Sequence, residues 1–191
     1  VPKDTDKDGK VTAISFDYTG LDKGNMLLAL EAFGRSKNVA EVRQAMKHLV
    51  AYSQNIAAAD ADGGVLYSGY QAVPCRKYLP RDKDGAWIEG ADPSGLLDGT
   101  KYGGFTVPIK DGKVDEGPGA SDPSKCMVPF DEYPMALNPK GSIVVTANND
   151  IGDITHDNSL TNDKWYVGGP WTYGFRAQRI HDVLTEMAKK G

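Results

Sequence analysis

Few positions in this 191-residue chain combine a donor or reactive side chain with a setting able to aim it. The first is Asn148, in the triplet Asn148-Asn149-Asp150 that follows SIVVTA at 142–147. The β-branched composition of that run predicts a buried strand. A side-chain amide at the end of a rigid strand can direct an N–H at the oxyanion of a tetrahedral intermediate, and losing one such donor costs about 10²–10³ in rate. The competing reading is an asparagine that only closes the strand, with Asn149 starting the turn. The second position is Arg176, at the opening of a helix expected over 174–189. A cation there opposes the helix dipole, which argues for a specific reason for its presence. Its rigid fork of donors can hold an amide carbonyl; the plainer alternative is an ion pair.

Acidic residues form two further candidates. Asp4, Asp6, Asp8 and Gly9 match the start of an EF-hand calcium loop, but the twelfth position is Ser15 where a glutamate is required. An Asp-Gly turn feeding a strand over 11–18 is the favoured reading. A later loop carries Asp153, His156 and Asp157. Carboxylates in loops suit calcium, and a solvated acidic loop is the alternative. His156 and His181 do not make a Ser-His-Asp centre, because no G-x-S-x-G elbow accompanies them. His48 reads as a boundary residue of a helix. Cys75 and Cys126 are either two free thiols or a disulfide closing a long loop.

The elements that would position these residues follow from periodicity. A short helix over 25–33 ends at Gly34. A second begins at Asn38, with Glu41 three residues on as in a capping box, and Val39, Val42, Ala45, Met46, Leu49 and Val50 share one face. Residues 55–60 and 65–68 flank Ala61-Asp62-Gly63-Gly64 as a hairpin. From 74 to 139 the chain is rich in Gly, Pro and Asp, most linker-like over 110–125. The C-terminal helix has Ala177, Ile180, Val183, Leu184, Met187 and Ala188 on its apolar face. This order predicts a layered α/β or α+β piece with an antiparallel sheet. A 40% hydrophobic content provides for a core, and a net charge of −4 leaves no footprint for nucleic acid or an anionic membrane. No apolar run is long enough to span a bilayer.

Four segments, in order, resemble the penicillin amidase family. They are QNIAAADADGGVLY at 54–67; Gly69 with Pro74-Cys75-Arg76; the run from VPFDEYP at 128–134 through NPKGSI at 138–143 to ANN at 147–149; and GFRAQRI at 174–180. The resemblance implies an α+β fold, part of the four-layer αββα sandwich of the N-terminal-nucleophile hydrolases. It implies cleavage of the amide bond of an N-acyl substrate, of penicillin or acyl-homoserine-lactone type. The attacking group is a serine at the head of the large subunit, with its own α-amino group as base.

By the same resemblance Asn148 corresponds to the oxyanion-hole asparagine. Arg176 corresponds to an arginine supporting that asparagine and the substrate. Asp157, with Asp153 behind it, is the nearest counterpart of a ligand to a structural calcium. Because the chain opens with Val1, residues 1–191 are expected to be one interior piece of the large subunit, inactive alone. Its partners would then be the small subunit and the N-terminal part of the large subunit, and its location the bacterial periplasm or outside the cell. Two other readings stand beside this one: a non-catalytic calcium-binding or structural module, and a relative that has lost catalysis but kept a binding surface.

Overall fold

A hairpin and the helix before it are tied together by one carboxylate. In the computed structural model, which describes residues 7–9, 11, 13–21, 24, 26–150, 164–168 and 171–190, strands β1 (Gln54–Ala59) and β2 (Val65–Tyr70) pair antiparallel, with Gln54 opposite Tyr70 and Ala59 opposite Val65. Asp60 opens the turn between them. Its Oδ1 accepts from the N–H groups of Gly64 (2.7 Å) and Asp62 (3.1 Å), and its Oδ2 accepts from the N–H of Val39 (3.0 Å). Val39 is the first residue of helix α2 (Val39–Ala45), so the carboxylate also satisfies an orphan donor at a helix start. Asn38 and Glu41 form the expected cap: the Asn38 Oδ1 accepts from Glu41 N at 2.9 Å. Glu41 returns its carboxylate to Lys37 N at 2.8 Å, one residue earlier than in the usual box.

Helix α1 (Met26–Arg35) precedes this cap. It does not stop at Gly34. The helix runs on to Arg35, where the Glu31–Arg35 pair (2.6 Å) and the Ser36 Oγ bond to Ala32 O (2.8 Å) hold the last turn. Gly34 has no positive φ, so it costs helix propensity without breaking the helix.

The sheet is completed by β5 (Met135–Leu137), which pairs with β2 to give the order β1-β2-β5. The chain is thus α+β with antiparallel sheets. Asn138 extends the ladder one step with its side chain: its N–H donates to Val65 O (2.7 Å) and its Oδ1 accepts from Val65 N (2.9 Å). Strand β5 lies in the region expected to hold little regular structure. So do β3 (Ile109–Lys110) and β4 (Lys113–Val114), a small hairpin whose turn residues Asp111 and Gly112 both have positive φ. That Asp-Gly pair suits a two-residue turn and corrects the linker reading of 110–125, as do the single turns at Pro118–Ala120 and Pro123–Lys125.

Two other expected strands are not formed. Residues 142–147 and the described part of 11–18 are without ladder pairing. Composition favours an extended chain in both, but a strand also needs a neighbour. Ile14 and Phe16 are each 79% exposed.

The core divides between two clusters through three pairs of adjacent residues. Leu49, Val73 and Val128 enter a cluster with Ala29, Met46, Tyr70, Phe130, Tyr133 and Val167. Their neighbours Val50, Ala72 and Met127 enter a second cluster with Val107. Adjacent residues thus enter different clusters, and the three segments are held together by Ala72 N to Val50 O (2.9 Å) and Val128 N to Val73 O (2.8 Å). Beside it the Cys75–Cys126 disulfide is formed, with Cα atoms 5.4 Å apart. The Phe130 ring meets Tyr70 edge-on at 4.9 Å and lies under the Arg43 guanidinium at 3.5 Å. Arg43 is buried and donates from Nη2 to Phe130 O at 2.6 Å. Burial raises the Tyr70 hydroxyl far above its usual range and holds Tyr133 at about 12. Helix α3 (Phe175–Lys190) ends the chain, with Ile180, Leu184 and Met187 exposed. Among the described residues no helix is long and apolar enough to cross a membrane.

Two outcomes are expected. The bonds from Val39, Gly64 and Asp62 hold the Asp60 carboxyl below its ordinary range. A depressed folded-state value stabilises above the unfolded value, near pH 4, and the contribution disappears as pH falls through the folded value. Asp60→Asn should therefore lower Tm at neutral pH, and the gap to the parent should close on acidification; a gap independent of pH would contradict the assignment. Replacing both Cys75 and Cys126 by Ala opens a loop with a sequence separation of 51 and should cost about 4 kcal/mol in denaturant unfolding.

Candidate active site

The backbone turns at Asn148 into the left-handed region, φ 60°, which asparagine tolerates better than most residues. Asn149 is the turn residue: its Oδ1 accepts from Ala147 N at 3.0 Å. With residues 142–147 unpaired, Ala147 and Asn148 are instead held from two other elements. Arg176, in the first turn of α3, donates from Nη2 to Ala147 O (2.7 Å) and to Asn148 Oδ1 (3.0 Å). Thr172 N donates to Asn148 O at 2.8 Å.

The arginine decides which way the amide points. A guanidinium only donates, so the atom it meets must be the carboxamide oxygen. The Nδ2 group, with its two N–H donors, is then left to face elsewhere. Asn148 lines a cleft of about 580 Å³ that is also lined by Gln54 and Asn55 at the start of β1. Thr146, Thr172 and Arg176 also face it, and Trp171 is its one aromatic side among the described residues. Among the described residues no carboxylate lines the cleft, and Arg176 is its one charged lining residue.

Tyr67 contacts two of the lining residues. It is 8% exposed; its hydroxyl lies 3.5 Å from Asn55 Oδ1 and is bonded to the Thr146 side chain. Burial raises its pKa, the charge of Asp150 adds to this, and the Thr146 bond opposes it. One buried phenol thereby links Asn55 and Thr146, two residues that line the cleft. Sequence reasoning passed over Tyr67, Trp171 and Thr172. The strand period that puts Tyr67 opposite Ala57 was readable, but its contact with Thr146 lies across the fold.

The structure thus brings Asn148 and Arg176 together at one cleft. Asp157, Asp153 and His156 lie outside the described residues, as do Asp4 and Asp6. Among the described residues no group of three or more His, Cys, Asp or Glu could hold a metal ion. His48 is the boundary residue expected, with Nδ1 3.1 Å from Gly112 O. His181 sits farther along α3, with Nδ1 3.9 Å from Asp182 Oδ1, and is not among the residues that line the cleft. A second cleft, about 490 Å³, mixes Lys47, Lys110 and Lys113 with Asp111, Asp115 and Asp131. Opposed charges there leave no single donor set aimed at one point.

Compared with known families, the chain matches the penicillin amidase family over residues 3–191. No curated protein sequence matches it.

Because the Arg176 contacts lie at the surface, Arg176→Ala should change the unfolding free energy by only about 1 kcal/mol. A loss of several kcal/mol in denaturant unfolding would make this residue a structural strut and remove it from the site.

Proposed function

Since this chain belongs to the penicillin amidase family, N-terminal-nucleophile hydrolases acting on amides, we propose that it forms the oxyanion side of an N-acyl amide hydrolase centre. In this reading a serine at the N-terminus of another segment of the precursor adds its hydroxyl oxygen to the substrate carbonyl carbon. The serine proton passes to the α-amino group, and the carbonyl oxygen becomes an oxyanion that Asn148 Nδ2 meets with an N–H. Collapse expels the amine, which takes the proton, and leaves an acyl-enzyme. Water then releases the acid by the same route. Arg176 fixes the Asn148 amide with its oxygen turned away from the oxyanion, and its remaining N–H groups are available to the substrate.

The single observation that carries this reading is the Arg176 Nη2 contact to Asn148 Oδ1 at 3.0 Å beside an open cleft. A pre-oriented donor of this kind is the largest single contribution in many acyl-transfer enzymes. The reading extends to a structural calcium held in part by Asp157, and to export from the cytoplasm, which the Cys75–Cys126 disulfide supports. N-acyl compounds of penicillin or homoserine-lactone type are the substrates it suggests.

The test is Asn148→Ala in the complete, processed enzyme, with kcat normalised to processed protein. A fall of about 10²–10³ with a smaller change in KM is expected. A kcat within about threefold of the parent would remove Asn148 from the reaction.

A further inference from the structure

Arg76 combines three features that ordinary surface arginines lack. Its backbone is left-handed, φ 56°, a conformation unfavourable to a long side chain. Its guanidinium is half-buried and partly desolvated, and among the described residues the groups that act on its charge are Tyr78 and Tyr166. Desolvating a guanidinium is costly, so its bonds should matter. Nη1 donates to Pro74 O (3.1 Å) and to Tyr166 O (3.2 Å), and Cζ lies 4.8 Å from the centre of the Tyr166 ring. The residue before it, Cys75, is fixed by the disulfide to Cys126.

Tyr166 belongs to a strap, residues 164–168, that leads toward the cleft. Trp165 and Val167 turn into the main core cluster, and Trp165 Nε1 donates to Glu132 Oε2 at 2.7 Å. Lys164 pairs with the same carboxylate. Farther on, Trp171 packs against that cluster too, and Thr172 N donates to Asn148 O at 2.8 Å. The strap therefore has core anchors on one side and Arg76 on the other, and its continuation holds the carbonyl of Asn148.

We propose that Arg76 is a positioning residue for the amide-hydrolase centre: from the disulfide side it holds the Tyr166 backbone, and so fixes the strap that leads to Thr172 and Asn148. The inference rests on the role assigned above to Asn148. Small displacements of a catalytic group reduce rate steeply, so a loosened strap should be felt in kcat.

The experiment is a double-mutant cycle in the complete enzyme, assayed on a chromogenic N-acyl anilide below the melting transition of every variant. Arg76→Met should lower kcat about tenfold and leave KM within about threefold. In the Asn148→Ala background the same change should cost less than about twofold, because its effect runs through Asn148. Losses that multiply, or an Arg76→Met enzyme with kcat within about twofold of the parent, overturn the proposal. If Arg76→Met does not accumulate folded, Arg76→Lys, which keeps the charge but loses the fork, is judged by the same cycle. A slow Asn148→Ala enzyme beside a fast Arg76 variant removes this inference alone. An Asn148→Ala enzyme as fast as the parent removes the functional reading, and this inference with it.

Discussion

The Arg176 guanidinium reaches back from the first turn of α3 to the Ala147 carbonyl and the Asn148 carboxamide. This contact constrains the candidate centre more than any other, because arginine has no acceptor to offer. Of the two polar atoms of a carboxamide only the oxygen can accept from it, so the Asn148 amide is oriented by chemistry and its N–H donors are left over. The left-handed turn at Asn148 and the Thr172 bond to its carbonyl fix the backbone on which that amide rides.

The surrounding fold supplies rigidity where the cleft needs it. Asp60 locks the hairpin turn to the start of α2, so Gln54 and Asn55 at the far end of β1 belong to a braced unit. Tyr67, on β2, reaches from that unit to Thr146, another residue that lines the cleft. Below them Tyr70, Phe130 and Tyr133 pack edge to face, with Arg43 over the Phe130 ring. Aromatic packing of this kind resists small rearrangements.

Local chemistry was legible in the sequence, and long-range pairing was not. The cap at Asn38 and Glu41, the hairpin around Asp60, the C-terminal helix and its Arg176 all follow from signals within a few residues. The pairing of Asn148 with Arg176 was reached through family resemblance, since nothing between positions 148 and 176 in the sequence shows that they meet. The strands expected at 11–18 and 142–147 failed for one reason: composition reports a preference for extended backbone, whereas a ladder needs a partner edge. Conversely β5 has only three residues and no strong alternation, yet pairs because β2 presents an edge and Asn138 can finish the ladder. The Cys75–Cys126 link stayed open in the sequence because spacing along the chain does not fix the distance between two cysteines.

The central claim is that Asn148 Nδ2 faces a developing oxyanion. The most direct measurement is a crystal structure of the complete, processed enzyme carrying a covalent phosphonate or boronate analogue of the tetrahedral intermediate. The account predicts Nδ2 within about 2.7–3.1 Å of the analogue's oxyanion oxygen, with Oδ1 still on Arg176. An Nδ2 turned to solvent, or an oxyanion held wholly by other donors, would contradict it.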